Sequence, residues 1–212
     1  MTEDRERLYK ILFRFYFFVH DFIESRFFYH LCKLLRMPHP KNLHDFRSRD
    51  FVNWVDKTDR VADLGCGTGK LVLAVSPKVA SAVGVDLSPA LLLKDQTNFI
   101  RMDILDQNLI PLLTQQGVNT ILLSHVLEHL PDPIAFLKRL TTFRKLLICV
   151  PSQENWRFQF KQSLGLDART DPTHCREYTL SMLHSEVEKA GFVVQTSFYN
   201  SEGEIFAVCK TL

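Results

Sequence analysis

Five short, mostly apolar runs punctuate the chain, at 61–64, 82–85, 99–103, 120–123 and 145–150. Each is too brief for an amphipathic helix and suits a buried parallel strand. Helix signals fall between them. An apolar run at 71–75 follows a glycine loop, and Ser88-Pro89 has the form of a helix start leading through Leu91, Leu92 and Leu93. Asp132 is placed to cap a helix over 133–143, and an amphipathic helix at 180–190 meets a stop at Gly191. Two last runs, 192–199 and 205–209, flank the polar turn 200–204 and read as an antiparallel pair. Strands alternating with helices predict an α/β fold, a doubly wound sheet closed by that pair.

Before the first strand the pattern changes. Leu8, Ile11, Leu12, Phe15, Val19, Phe22 and Ile23 recur at helical spacing, and further aromatics such as Phe13, Phe17, Phe18, Phe27 and Phe28 widen the face. Three readings stand: a helix packed on the core, a cap over a pocket, or a helix lying on a membrane surface. Lys10, Arg14 and Arg26 favour the last, and Asp21 and Glu24 weaken it. Met37-Pro38-His39-Pro40 breaks the segment, and Leu43, Phe46, Phe51, Trp54 and Val55 suggest a helix into the first strand. An aromatic-rich helical cap over 1–42 is therefore expected, followed by one α/β domain over 43–212. Within that domain 152–179 loses periodicity and gathers Glu154, Trp156, Arg157, His174, Glu177 and Tyr178. In an open α/β sheet, ligands sit beyond the carboxyl ends of the strands, where this insert emerges.

The chemistry starts at Asp63-Leu64-Gly65-Cys66-Gly67-Thr68-Gly69. Glycines at every second position let the chain turn sharply and let a ligand approach the backbone. The helix that follows presents free N–H groups to an electron-rich ligand group. The second strand ends in Asp86, 21 positions after Gly65, where an acid can accept hydrogen bonds from ribose hydroxyls. A dinucleotide fingerprint asks for glycine or alanine where this chain has Lys70, so the loop is G-x-G-x-G and not G-x-G-x-x-G.

Val61 to Gly69 resembles the first motif of the class I S-adenosylmethionine-dependent methyltransferases, V-L-D-L-G-C-G-T-G, departing from it only at Ala62. The resemblance extends over roughly 45–210. It implies a Rossmann-like seven-stranded sheet with an antiparallel last strand, and S-adenosyl-L-methionine as cofactor. It also implies that Asp63, Gly65, Cys66, Gly67 and Gly69 hold the methionine part and that Asp86, with Leu87, holds the ribose. Asp103 and Ile104 are carried over to the adenine, and Ser124 to the end of the fourth strand; Asp103 as a local cap is the competing reading. Enzymes of this class that methylate base amines usually carry an Asn/Asp-Pro-Pro-aromatic motif where this chain has Ser124-His125-Val126-Leu127, which disfavours that substrate class.

His125, His129 and His174 are candidates for a general base, should the acceptor need to lose a proton. For His174 a loop anchor is an equal reading. His125-x-x-Glu128-His129 also matches the H-x-x-E-H pattern of one class of zinc hydrolase. Here it follows a buried strand and is cut short by Pro131 and Pro133, so no metal is expected from it. A net charge of +2 gives no electrostatic footprint for nucleic acid, and 171–178 resembles a segment of small-molecule methyltransferases, which implies a small-molecule acceptor. A protein or RNA methyltransferase and a catalytically silent cofactor-binding scaffold are the alternatives. Five scattered cysteines without a C-x-x-C pair, a charged N-terminus and no apolar run of spanning length predict a reduced, cytoplasmic protein without a transmembrane segment. Oligomeric state is not legible.

Overall fold

The computed structural model describes residues 3–23, 34, 46–88, 98–169, 171–201 and 203–212. The helix expected after Ser88-Pro89, the break at 37–40 and the aromatics 27–29 lie outside these residues. The chain divides into two compact units, one formed by 1–45 with 156–168 and the other by 46–155 with 169–212.

The larger unit carries a seven-stranded sheet in the order β3-β2-β1-β4-β5-β7-β6. Its strands are β1 (Arg60–Leu64), β2 (Ser81–Asp86), β3 (Phe99–Arg101), β4 (Thr120–Ser124), β5 (Lys145–Val150), β6 (Phe192–Tyr199) and β7 (Ile205–Thr211). The first five run parallel, and β7 runs antiparallel to both β5 and β6. This is the doubly wound sheet with a reversed last strand that the sequence predicts. The strand order reverses between β1 and β4, which opens a crevice at their carboxyl ends.

Alternation along the strands feeds two cores. Ala62, Leu64, Ile121, Leu123, Leu146 and Ile148 belong to one, with Leu113, Phe136, Leu183 and Val187 from the helices on that face. Val61, Leu122, Leu147 and Cys149 belong to the other, with Phe51, Leu71, Val72 and Val75. The helices are α2 (Phe46–Trp54), α3 (Lys70–Val75), α4 (Leu109–Gln115), α5 (Pro133–Arg139) and α7 (Leu180–Lys189). Asp132 caps α5 by accepting the Ala135 N–H at 3.0 Å, as expected, but the helix ends at Arg139 and not at 143. There the Leu140 N–H turns back three residues to the Leu137 carbonyl, which brings Phe143 into the core. At the amino end of the sheet, Lys145 Nζ meets the Asp59 carboxylate at 2.5 Å, both side chains being buried.

The smaller unit pairs α1 (Glu3–Phe22) with α6 (Trp156–Ser163). Phe13 packs edge-on against Phe160 at 4.9 Å, and Phe17 lies tilted against the same ring. The Arg14 guanidinium donates two hydrogen bonds to the Leu164 carbonyl. Leu8, Ile11, Phe15, Phe18 and Phe22 of α1 stay exposed. Within 152–179, where the sequence loses periodicity, residues 156–163 form α6. Among the described residues no helix is long and apolar enough to cross a membrane.

Candidate functional site

The site begins where β1 gives way to α3. Gly65, Gly67 and Gly69 all take left-handed φ values, 74°, 53° and 74°, which a Cβ would strain. The Gly65 and Cys66 N–H groups both donate to the Val85 carbonyl, at 2.8 and 3.1 Å, so the loop bends across the end of β2. A Cβ on Gly67 would meet nothing within 4 Å, leaving this backbone open to a ligand. A Cβ on Gly84 would lie 2.7 Å from Cys66 Sγ, so bare backbone in β2 is what gives the thiol its seat. Burial, reinforced by Asp63 and Asp86, pushes the Cys66 thiol up to about 12. It is therefore a protonated packing group and not a nucleophile.

Two carboxylates flank the loop. Asp86, at the tip of β2, accepts the Gly67 N–H on Oδ2 at 2.8 Å and the Ser88 N–H on Oδ1 at 3.0 Å. It thus braces the loop and the turn after β2, while each oxygen keeps a second lone pair. Asp63 is buried in β1, and its Oδ1 has no hydrogen-bond partner among the described residues. Burial first, and the nearby Asp86 charge second, push its carboxyl up to about 8. Such an orphaned acceptor in a well-packed strand calls for an explanation, and a cationic ligand group is the simplest.

The remaining residues carried over from sequence are more spread. Leu87 follows Asp86 and is 60% exposed. Asp103 is exposed and accepts the Leu105 N–H at 2.9 Å, the local turn bond of its competing reading. Ile104 is half-buried against the core, and half-buried Ser124 closes β4. Met102 N–H donates to the Asp86 carbonyl, so the segment bearing Asp103 leaves the sheet beside the ribose candidate.

The three histidines are not equivalent. His125 has φ 58°, an uncommon conformation for a residue with a side chain. Its Nδ1 lies 3.1 Å from Glu128 Oε1 and its Nε2 2.9 Å from Glu204 Oε1. Burial acts to lower its pKa, but the bonds and charges of the two glutamates win and push it up to about 9. An imidazolium with both nitrogens occupied has no lone pair with which to take a proton. His129 Nδ1 sits 3.1 Å from Thr173 Oγ1. His174 is buried, with Nδ1 2.8 Å from Glu177 Oε1, and its ring meets that of His129 edge-on at 4.6 Å. Residues 171–178 thus fold back onto the turn after β4, where the Cys175 N–H donates to the Glu128 carbonyl at 2.8 Å.

Sequence reasoning missed Glu204 and left Glu128 and Glu177 without a role. Glu204 sits in the polar turn between β6 and β7, where an acid looks like a solvated loop residue. Its partner His125 is 79 residues away, so no local spacing marks the pair.

A family model described as a methyltransferase domain matches residues 34–197. No curated protein matches the chain. Among solved structures, a SAM-dependent methyltransferase from Archaeoglobus fulgidus aligns with TM-score 0.63 at 17% identity, over 87% of this chain and 99% of that one. Magnesium protoporphyrin IX methyltransferase from Synechocystis PCC 6803, with bound SAH, aligns with TM-score 0.61 at 16% identity, over 92% and 99%. The small RNA methyltransferase HEN1 aligns with TM-score 0.61 at 17% identity over 78% of this chain, which spans only 25% of HEN1. At these identities the likeness concerns the fold.

Proposed function

The chain belongs to the methyltransferase domain family, and from that premise we propose that it transfers a methyl group from S-adenosylmethionine to a small-molecule acceptor. The observation that carries the reading is the unpartnered, buried Asp63 oxygen beside a glycine loop whose Gly67 backbone is open. The ammonium of the methionine part would meet Asp63, and its carboxylate the N–H groups that open α3. Asp86 would take the ribose hydroxyls on the lone pairs that Gly67 and Ser88 leave over. Cys66 and Leu87 would line the same cradle, and Asp103 with Ile104 the adenine side. The residues present therefore fit the cofactor.

When bound, the cofactor supplies a sulfonium-activated methyl group, whose C–S bond pair returns to sulfur as the acceptor lone pair forms the new bond. The protein's part is alignment and exclusion of water. Positioning of this kind can supply roughly 7–11 kcal/mol of a barrier in favourable cases. Should the acceptor need to lose a proton, His125 is not placed to receive it, since glutamates hold both of its nitrogens.

We further propose that acceptor selection falls to the aromatic N-terminal segment, which packs its helix α1 against α6 of the insert after β5. A cytoplasmic setting accords with four described cysteines that are all free thiols. The test is incubation with methyl-labelled cofactor and fractionated cell extract. Label in one low-molecular-weight product is expected; label in protein or RNA would move the acceptor class, and no transfer with intact cofactor binding would favour a silent scaffold.

A further inference from the structure

The motif His125-x-x-Glu128-His129 does not bring its two histidines to one centre. Among the described residues, His125 groups with Cys149 and Glu204, whereas His129 groups with Glu128 and His174. In the second group one ligand atom from each residue lies within 4.8 Å of the other two. We propose that Glu128, His129 and His174 form a binding site for one divalent cation of the zinc class.

Glu128 is fully buried. Its Oε1 faces His125 Nδ1 at 3.1 Å, and its Oε2 has no hydrogen-bond partner among the described residues. A buried carboxylate oxygen left without a hydrogen-bond partner is costly. A cation on Oε2 removes that cost.

The two imidazoles are already prepared as ligands. Thr173 Oγ1 donates to Asp171 Oδ1 at 2.6 Å, so toward His129 it can only accept, which places the His129 proton on Nδ1. His129 therefore carries its lone pair on Nε2. Glu177 Oε1 accepts from His174 Nδ1 at 2.8 Å and fixes the same tautomer there. A ligating histidine that donates its other N–H to a carboxylate or another oxygen is the usual outer arrangement of a metal site. Two nitrogens and one carboxylate suit zinc and neighbouring first-row ions better than calcium or magnesium, which prefer all-oxygen sets. Three protein ligands also leave a position for water or an electron-rich group.

The charges around the site agree with a cation. Glu177 holds His174 Nδ1 and Asp171 holds Thr173, so acidic side chains stand behind both imidazoles. Arg176 commits its guanidinium to Glu186 and to the Leu130 and Pro131 carbonyls. The ion would tie residues 171–178 to the turn after β4, a join otherwise made by the Thr173, Cys175 and Arg176 hydrogen bonds.

The proposal is tested on the full chain, stripped with EDTA and titrated with zinc alone by calorimetry, with cobalt absorption as a second signal. One equivalent is expected, with a cobalt d–d band typical of nitrogen and oxygen ligands. Glu128→Gln and His174→Ala should abolish saturable binding, and Glu177→Gln should weaken it about 10- to 100-fold, the range for outer partners. Binding of S-adenosylhomocysteine, which needs none of these residues, reports whether each variant is folded. Should the buried variants fail that check, the exposed His129→Gln decides. Absence of saturable zinc binding overturns the site. So does zinc binding that survives His129→Gln, which would put the ion elsewhere, for instance at His125, Cys149 and Glu204.

Discussion

The Asp86 carboxylate accepts the Gly67 N–H at 2.8 Å, so the acid at the tip of β2 holds the loop that leaves β1. One side chain thereby belongs both to the fold of the loop and to the site the loop forms.

Removing it should have two consequences. Hydrogen bonds to a charged group contribute about 1.5–3 kcal/mol net. Asp86→Ala should weaken S-adenosylhomocysteine binding about 10- to 150-fold, since 1.4 kcal/mol is a factor of ten. It should also lower the melting temperature, because the Gly67 and Ser88 N–H groups lose their acceptor. Asp86→Asn should lose less of both, the amide oxygen still accepting one bond. Calorimetry and thermal melts on the same variants check this; a lowered melting temperature with native affinity would rule out the ribose role.

Asp63 predicts a pH dependence. Its folded pKa, about 8, is raised above the ordinary carboxylate value by burial and by Asp86. A raised folded pKa means that the folded state holds the extra proton between about 4 and 8. This contribution to stability is fully present below the unfolded pKa and is lost as pH rises to about 8. Asp63→Asn should flatten that part of the stability profile and stabilise the free protein at pH 8, while weakening cofactor binding. In the native chain, pairing with an ammonium ionises Asp63, so binding at pH 7 should release a proton. Calorimetry in two buffers of different ionisation enthalpy reads that proton directly; equal heats would contradict the pairing.

A third prediction concerns stability alone. Lys145 Nζ and Asp59 are buried together at the amino end of the sheet, opposite the site, with Arg144 also on Asp59. Breaking a buried pair by removing one partner costs about 3–5 kcal/mol. Asp59→Ala should therefore shift the denaturant midpoint strongly and leave S-adenosylhomocysteine affinity within about twofold in the folded fraction. A large loss of affinity at unchanged stability would refute this separation.

The elements that could be read in advance are those whose pattern is complete within themselves. The run 146–150 is apolar throughout because β5 is buried at every position, and the pair β6 and β7 flanks a polar turn. The glycine loop and Asp86 are legible because backbone conformation and strand ends constrain residue type locally. The helix α6 went unread because none of its residues is fully buried, so no face marks it. Helix α4 buries only Leu109 and Leu113 and carries Pro111 in its first turn, which masks a seven-residue helix. Contacts of the histidines were hidden for another reason: His125 to Glu204 and His129 to Thr173 join segments 79 and 44 residues apart. Only the folded sheet brings them together.

The central claim, a cofactor site for S-adenosylmethionine in the Gly65–Gly69 loop, is tested most directly by calorimetric titration of the full chain. S-adenosylmethionine and S-adenosylhomocysteine should each bind saturably at one site, and NAD should not, because Lys70 stands where a dinucleotide loop needs glycine. Saturable NAD binding with no response to either S-adenosyl compound would contradict the account.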